Sequence, residues 1–220
     1  MESSYRKKIL DNFIELATRA ENRAELFAIE NGCAKTSFFN NYRIILRSTE
    51  VEYLFKKIVK SIKNNKKSQG FIYFLHQQEL NGSVIPLYLG IARREGKKKE
   101  TSSLLNSNYP RWGYYKGGNF HLSNLNSVLF TEGYTAKDSD KNYEIYIKWA
   151  ENIFNNPKFP VPHGEQIVPR KPTYLSLIEW GENQNSFVDI LGKTSIKCEE
   201  SILINLLYEY YPEKLLNNDI

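Results

Sequence analysis

The fold of this chain is decided by two short apolar stretches, Gly70-Phe71-Ile72-Tyr73-Phe74-Leu75 and Val84-Ile85-Pro86-Leu87-Tyr88-Leu89-Gly90-Ile91. Both are rich in aromatic and β-branched residues, which favour strands. The dipeptide Asn81-Gly82 lies between them and is a strong signal for a hairpin turn. We therefore predict that the two stretches pair as antiparallel strands, which places Tyr73 and Tyr88 on neighbouring strands.

The residues before this hairpin have helical periodicity. We predict helices over residues 4–31 and 36–47, because apolar residues recur there three and four positions apart. A third helix is predicted to begin after Ser48 or Thr49, either of which can cap its first turn. The polar stretch over residues 64–70 then marks a boundary. The chain is thus divided into a helical N-terminal region, residues 1–66, and a core, residues 70–220.

The rest of the core alternates between strand and helix signals. A short strand is predicted at 128–130, a helix at 138–154, a strand at 174–180 and a final helix at 196–211. Residues 156–172 hold five of the eight prolines and are expected to be irregular. The predicted fold class is α+β, with a small, mainly antiparallel sheet flanked by helices and a helical N-terminal region.

The composition is that of a protein outside the membrane. The chain has 220 residues, of which 41% are hydrophobic, a length sufficient for a substantial core. No apolar stretch has the length of a membrane span, and the N-terminus lacks the apolar centre of a signal peptide. We therefore expect a cytoplasmic protein without a membrane partner. Cys33 and Cys198 have no metal-ligand spacing, so we expect free thiols.

The basic residues are clustered, although the formal net charge is only +5. One cluster lies within residues 56–67, and a second, within residues 93–99, directly follows the second tyrosine stretch. A cluster of this kind is either a solvated surface or a binding site for a polyanion. Charge by itself does not decide between these alternatives.

Two kinds of side chain in the core have functional chemistry. A tyrosine phenol has an ordinary pKa near 10, but nearby cations allow it to hold or deprotonate a water molecule. The alternative is that Tyr73 and Tyr88 are ordinary half-buried strand residues without a role in chemistry. A carboxylate on the mostly apolar helix over residues 196–211 suits a hard divalent cation, or it complements the positive end of the helix dipole.

These elements, taken in order, resemble the GIY-YIG nuclease family. The first tyrosine motif is Gly70-Phe71-Ile72-Tyr73 and the second is Tyr88-Leu89-Gly90. The segment Glu200-Ser201-Ile202-Leu203-Ile204 resembles the helix that carries the family's metal-binding glutamate, and Pro212 and Asn217 follow it in the expected order. The resemblance covers residues 70–218.

This resemblance implies a deoxyribonuclease that cuts double-stranded DNA with Mg²⁺ or Mn²⁺. Glu200 is implied to be the metal ligand, and Tyr73 to position or deprotonate the attacking water. Tyr88 is implied to orient the phosphate, and Asn217 to support the site.

The family also uses an arginine that neutralises the scissile phosphate. We assign this role to Arg111, with Tyr115 on the same helix face, because restriction enzymes of the family resemble that arrangement. Arg93 and Arg94 remain alternatives for the catalytic arginine. Further DNA-binding residues are expected among the positively charged or imidazole side chains near the second motif: Arg93, Arg94, Lys97, Lys98 and His121.

Among the family's activities, a compact chain is most like a type II restriction endonuclease. Recognition of a palindromic site would imply a homodimer on DNA. A repair or mobile-element endonuclease and a nucleic-acid-binding protein without catalysis are the alternatives. Glu200 distinguishes cutting from binding, because only catalysis requires that carboxylate.

Overall fold

The protein has the predicted α+β architecture, with a four-stranded antiparallel sheet flanked by helices. The computed structural model describes residues 3–39, 42–94, 121–131, 143–156, 158–213 and 215–217. In chain order the elements are α1 (Ser3–Thr18), β1 (Arg23–Glu25), β2 (Ile29–Glu30), β3 (Cys33–Ala34), β4 (Thr36–Phe39), β5 (Tyr42–Ile45), α2 (Thr49–Asn64), β6 (Ser68–Gln78), β7 (Val84–Arg93), α3 (His121–Phe130), α4 (Tyr143–Ile153), β8 (Thr173–Gly181) and α5 (Ile196–Tyr210).

The predicted hairpin forms the centre of this sheet. Its strand order is β1-β8-β6-β7, so β6 pairs with β7 on one side and with β8 on the other. Between β6 and β7, Tyr73 is opposite Gly90 and Leu75 is opposite Tyr88. Asn81 supports the turn, because its side chain accepts a hydrogen bond from the Ser83 backbone N–H. The turn chemistry and strand pairing therefore agree with the prediction.

Helices cover both faces of the sheet. The α2 face carries α2, α3 and α4, and its core includes Phe71, Tyr73 and Leu75 of β6. The α5 face carries α1 and α5, and its core includes the alternate residues Ile72 and Phe74. Because β6 is buried on both faces, it is an almost continuous apolar run rather than an alternating one.

The N-terminal region contains more strand than we predicted. The helix expected over residues 4–31 ends at Thr18, and β1 then pairs with β8 at the edge of the main sheet. The helix expected over 36–47 is wrong, because this segment is the β4–β5 hairpin. The aromatic and β-branched residues of this segment favour strands. Their spacing also matches a helical period, which is why the sequence predicted a helix.

The core differs from the prediction at one element. The short strand expected at 128–130 is the end of helix α3, whose Leu125, Val128 and Leu129 are buried. The other core predictions are confirmed: the strand at 174–180 corresponds to β8 and the helix at 196–211 to α5. The helix predicted over 138–154 is observed as α4. Among the described helices, none combines the length and apolar character needed to cross a bilayer.

A close backbone approach at Gly70 generates the first prediction. Gly70 has a φ of +140°, and a methyl group at this position would lie 2.1 Å from the Ala92 carbonyl oxygen on β7. We expect Gly70→Ala to lower the free energy of unfolding by at least about 2 kcal/mol, through backbone strain and steric overlap. Urea denaturation followed by circular dichroism measures this loss.

Gly82→Ala is the matched control. Gly82 also has a positive φ, +85°, but nothing lies within 4 Å of an added methyl group. Only the conformational strain remains, so we expect a loss of about 1 kcal/mol. Equal losses in the two variants would show that the approach of β7 to Gly70 does not matter for stability.

Candidate active site

The two motif tyrosines meet on the α2 face of the sheet. Their ring centroids are 5.8 Å apart and the planes differ by only 16°. This stacking follows from the register, since Tyr88 is opposite Leu75 and therefore diagonal to Tyr73. Trp149 of α4 packs against Tyr88, and the centroids of their rings are 5.2 Å apart. Two phenols thus share one surface beneath an aromatic wall.

Gly90 makes room for the Tyr73 ring. A methyl group at residue 90 would lie 2.4 Å from the Tyr73 hydroxyl oxygen and 2.5 Å from the ring carbon that bears it. Any larger residue at position 90 would displace the phenol. The glycine of the second motif thus has a steric role, and it lets the Tyr73 hydroxyl reach over edge strand β7.

The environment of Tyr73 raises the pKa of its phenol well above the ordinary value of 10. Burial is the main cause, since only 8% of the residue is exposed. The charge and hydrogen bond of Tyr88 add to it, and so does the negative charge of Glu200. The phenol is therefore neutral at physiological pH. It can hold a water molecule by a hydrogen bond, but in this environment it is a poor base.

Two adjacent glutamates on α5 have different surroundings. Glu199 is fully buried, and it accepts hydrogen bonds from the Phe187 backbone N–H at 3.0 Å and the Thr194 hydroxyl at 2.8 Å. Glu200 is only partly buried, and its charge is felt at the Tyr73 hydroxyl. Glu199 therefore anchors the start of the helix, while Glu200 is partly exposed and its charge acts on the Tyr73 phenol.

Asn217 holds the end of the chain against edge strand β7. Its side-chain oxygen accepts from the Leu89 N–H at 3.0 Å, and its side-chain nitrogen donates to the Leu89 carbonyl at 2.6 Å. The preceding residue, Leu216, donates its N–H to the Leu87 carbonyl at 2.7 Å. Asn217 thus satisfies the backbone next to Tyr88, and in this position it supports the strand rather than a phosphate.

The two arginines expected near the site, Arg93 and Arg94, do not lie beside the tyrosines. Arg93 alternates with Leu89 and Ile91, so it lies on the α5 face, away from the tyrosines. The Arg94 guanidinium donates to the Asn65 carbonyl at the end of α2. His121 is the first residue of α3. The other predicted site residues lie outside the described part of the chain: Lys97, Lys98, Arg111 and Tyr115.

The oxygen ligands at the site suit a magnesium ion. Within the described residues, no three His, Cys, Asp or Glu side chains cluster as a ready-made metal cage. Mg²⁺ does not require one, because it keeps several waters and binds through one or two carboxylates and substrate phosphate. Glu200 provides a partly exposed carboxylate whose charge acts on the Tyr73 phenol, and a single carboxylate is compatible with this mode of binding.

His76, on the first motif strand, is a core residue. It is completely buried on the α5 face, where its ring stacks between those of Phe74 at 5.0 Å and Tyr174 at 5.6 Å. Its Nε2 lies 3.0 Å from the Ser176 hydroxyl. Burial, followed by the charge of Arg23, lowers the pKa of His76 from 6.5 to about 3. It is therefore neutral and removed from the tyrosine surface.

The sequence did not indicate the aromatic wall of the site. The helical pattern over residues 138–154 indicates only that Trp149 and Tyr146 lie on a helix. In the structure their ring centroids are 6.0 Å apart, and Trp149 also contacts Tyr88. No local pattern linked α4 with the second motif. The chain matches no protein-family model, and searches of curated proteins and of solved structures return no significant match.

The burial of His76 generates a pH prediction. The unfolded chain binds a proton at His76 near pH 6.5, whereas the folded protein does so only near pH 3. The neutral ring therefore contributes stability that is complete above pH 6.5 and is lost as the pH falls toward 3. The expected loss is up to about 1.4 kcal/mol per pH unit.

His76→Phe tests this, because it keeps a stacked ring but removes the titrating group. Urea denaturation across the acid range should give a shallower dependence of stability on pH for this variant. His163→Gln changes an exposed histidine and should behave like the parent protein. Parallel curves for the parent and His76→Phe would refute the assignment.

Proposed function

We propose that the protein is a metal-dependent endonuclease that hydrolyses phosphodiester bonds in double-stranded DNA. The observation that carries this proposal is the stacking of Tyr73 on Tyr88 next to edge strand β7, near enough to Glu200 for its negative charge to act on the Tyr73 phenol. The glutamate comes from a segment more than a hundred positions from the tyrosines, and the order and types of the three residues are those of the GIY-YIG resemblance. Mg²⁺ or Mn²⁺ is the proposed cofactor.

The chemical roles follow from the environment of each group. The neutral Tyr73 phenol holds the attacking water by a hydrogen bond and orients it toward phosphorus. Tyr88, stacked beside it and less buried, binds a phosphate oxygen. Glu200 is the ligand for the divalent cation, which when bound stabilises negative charge on the phosphate. Positioning and electrostatics, rather than a covalent intermediate, lower the barrier in this scheme.

The arginine role is assigned to Arg111, with Tyr115 as its companion. Arg93 points to the opposite face of the sheet, and Arg94 is engaged with the end of α2. Neither is placed beside the two tyrosines, which supports the choice of Arg111. A guanidinium can donate two parallel hydrogen bonds to a phosphate, which suits this role.

We further propose that the enzyme is a site-specific type II restriction endonuclease that acts as a homodimer on DNA. This finer assignment rests on the analogy with restriction enzymes of the GIY-YIG family. Cleavage of plasmid DNA into discrete fragments would support it, whereas diffuse degradation would favour a repair or mobile-element endonuclease.

The two adjacent glutamates provide a test of the catalytic proposal. We expect Glu200→Gln to abolish metal-dependent cleavage, a loss of at least about 10³-fold, while folding and DNA binding persist. The reason is that an amide cannot replace the charge of the carboxylate at a cation. Plasmid cleavage with Mg²⁺ or EDTA, together with gel-shift binding, measures both properties.

Glu199→Gln removes the same charge one residue earlier on the helix. Because Glu199 is buried and accepts two hydrogen bonds, we expect a loss of stability of about 1–2 kcal/mol with cleavage retained by the folded protein. Full metal-dependent cleavage by Glu200→Gln would refute the role assigned to Glu200, whereas tight DNA binding without cleavage in the parent and in every variant would refute catalysis. The second result would identify a binding protein.

Tyr73→Phe tests the role of the buried phenol. We expect cleavage to fall on the order of 10²-fold with little change in DNA affinity, because the hydrogen bond to the water is lost. Since the pKa of Tyr73 is well above 10, its titration should not affect the rate below pH 10. Single-turnover cleavage across pH measures this. Tyr174→Phe, on the opposite face, is the control, and equal rates for the two variants would exclude Tyr73 from the chemistry.

A further inference from the structure

The outward surface of α2 carries a row of positive charge. Its inner side is apolar and packs into the core of the α2 face through residues such as Leu54, Phe55 and Ile58. Its outer side, continued by the turn that follows, carries six exposed lysines. We refer to them as the lysine ridge: Lys56, Lys57, Lys60, Lys63, Lys66 and Lys67.

Within the described part of the chain the ridge lysines form no ion pair, although one carboxylate, Glu179, accepts a hydrogen bond from Ser61 between them. Elsewhere, cations such as Lys7, Lys35 and Lys171 form ion pairs. Across the described residues, no ridge lysine lies within ion-pair distance of an acidic group. Lys57 donates a hydrogen bond, but its acceptor is the uncharged Glu21 carbonyl. The ridge therefore presents its positive charge to solvent.

This arrangement is not explained by helix stability. Lysines three and four positions apart repel one another and destabilise a helix slightly. The helix dipole favours Lys63 in the last turn, but it does not favour Lys56 and Lys57 in the middle of α2. The acidic residues of α2, Glu50 and Glu52, are confined to its first turn. Binding of an external polyanion accounts for the row where local stability does not.

The spacing of the ridge suits a nucleic-acid backbone. A helix rises 1.5 Å per residue, so Lys56 to Lys63 spans about 10 Å. Each strand of a DNA duplex has a phosphate about every 3.4 Å along its axis, so several phosphates lie within this distance. A membrane surface fits less well, because helices that bind bilayers insert a broad apolar side. Here the apolar side of α2 is already buried in the core.

The ridge and the candidate active site are on the same face of the sheet. Three rings link them: Phe55 of α2 contacts Phe71 at 6.2 Å, and Phe71 contacts Tyr73 at 6.4 Å. A duplex that lies across this face could therefore contact the ridge while one strand reaches the tyrosines. The lysine ridge and the two tyrosines would then contact different parts of the same duplex.

We propose that the lysine ridge binds the phosphates of double-stranded DNA next to the cleavage site and sets affinity and salt dependence rather than the rate of bond breaking. This inference rests on the proposed function, since it takes DNA as the partner. The ridge contacts only the backbone in this scheme, so its contribution is independent of base sequence.

The test compares two variants with the same change in charge. Lys56→Gln/Lys60→Gln/Lys63→Gln removes part of the ridge. Lys8→Gln/Lys193→Gln/Lys197→Gln removes three lysines outside it, two of which are exposed on the α1 and α5 helices of the opposite face. Dissociation constants for a short duplex are measured in EDTA at about 50 to 200 mM salt, where no cleavage occurs. Circular dichroism checks that each variant is folded.

We expect the ridge variant to bind at least about tenfold more weakly. The slope of log Kd against log salt should fall by about two to three, since each phosphate that the protein no longer neutralises lowers it by about 0.9. The control variant should bind within about twofold of the parent. Cleavage by the ridge variant at saturating DNA should keep the parent rate. Equal affinities and slopes for the two variants would overturn the inference.

The binding assay separates this inference from the proposed function. If the parent binds DNA through the ridge but never cleaves it, the nuclease proposal fails and the ridge assignment holds. If the parent cleaves DNA and the ridge variant matches the control, only the ridge assignment fails. Binding of the parent to vesicles rich in anionic lipid, without binding to DNA, would overturn the ridge assignment as well.

Discussion

The packing of the Tyr73 ring over Gly90 is the constraint on which the rest of the site depends. The ring occupies space that any side chain at position 90 would fill, and it brings the phenol to the edge of the sheet. This contact requires that β6 and β7 pair in one register, because a shift of one residue would turn Tyr73 to the other face. The close approach of the strands at Gly70 helps to hold that register.

Glu200, the proposed metal ligand, lies on a helix that is positioned by contacts outside the proposed chemistry. Glu199 ties the first turn of α5 to the preceding loop, and Asn217 binds the chain that follows α5 to the backbone of Leu89. Helix α5 is thus tied to the preceding loop at its start and to β7 through the residues that follow it. Glu200 follows Glu199 by one residue, which rotates it by about 100° around the helix and out of the anchoring pocket. The rotation between successive helix residues therefore leaves Glu199 buried and Glu200 partly exposed.

The α2 face combines two kinds of environment. The tyrosines lie under Trp149 in a mostly apolar setting, where a neutral phenol is favoured and hydrogen bonds are strong. The lysine ridge lies in solvent, where charge is well hydrated and screened by salt. Precise positioning of a reacting group requires the first setting, while attraction of a long polyanion requires the second. The fold provides both on one side of one sheet.

Much of this architecture was predictable because its signals are local. The Asn81-Gly82 turn and the β-branched stretches on either side specify a hairpin, and the period and cap of α2 and α5 specify helices. Prediction failed over residues 19–31, 36–47 and 128–130, where a few apolar residues fit more than one period and neighbouring segments decide between them.

The sequence by itself determined the central hairpin, the principal helices and the residues proposed for the chemistry. Only the tertiary structure decided that Glu199 is buried while Glu200 is partly exposed, that Arg93 faces away from the tyrosines, and that His76 belongs to the core. It also decided that the pKa of Tyr73 is raised rather than lowered. The physical reason is that burial, charge and packing act through space, between residues that lie far apart in the chain.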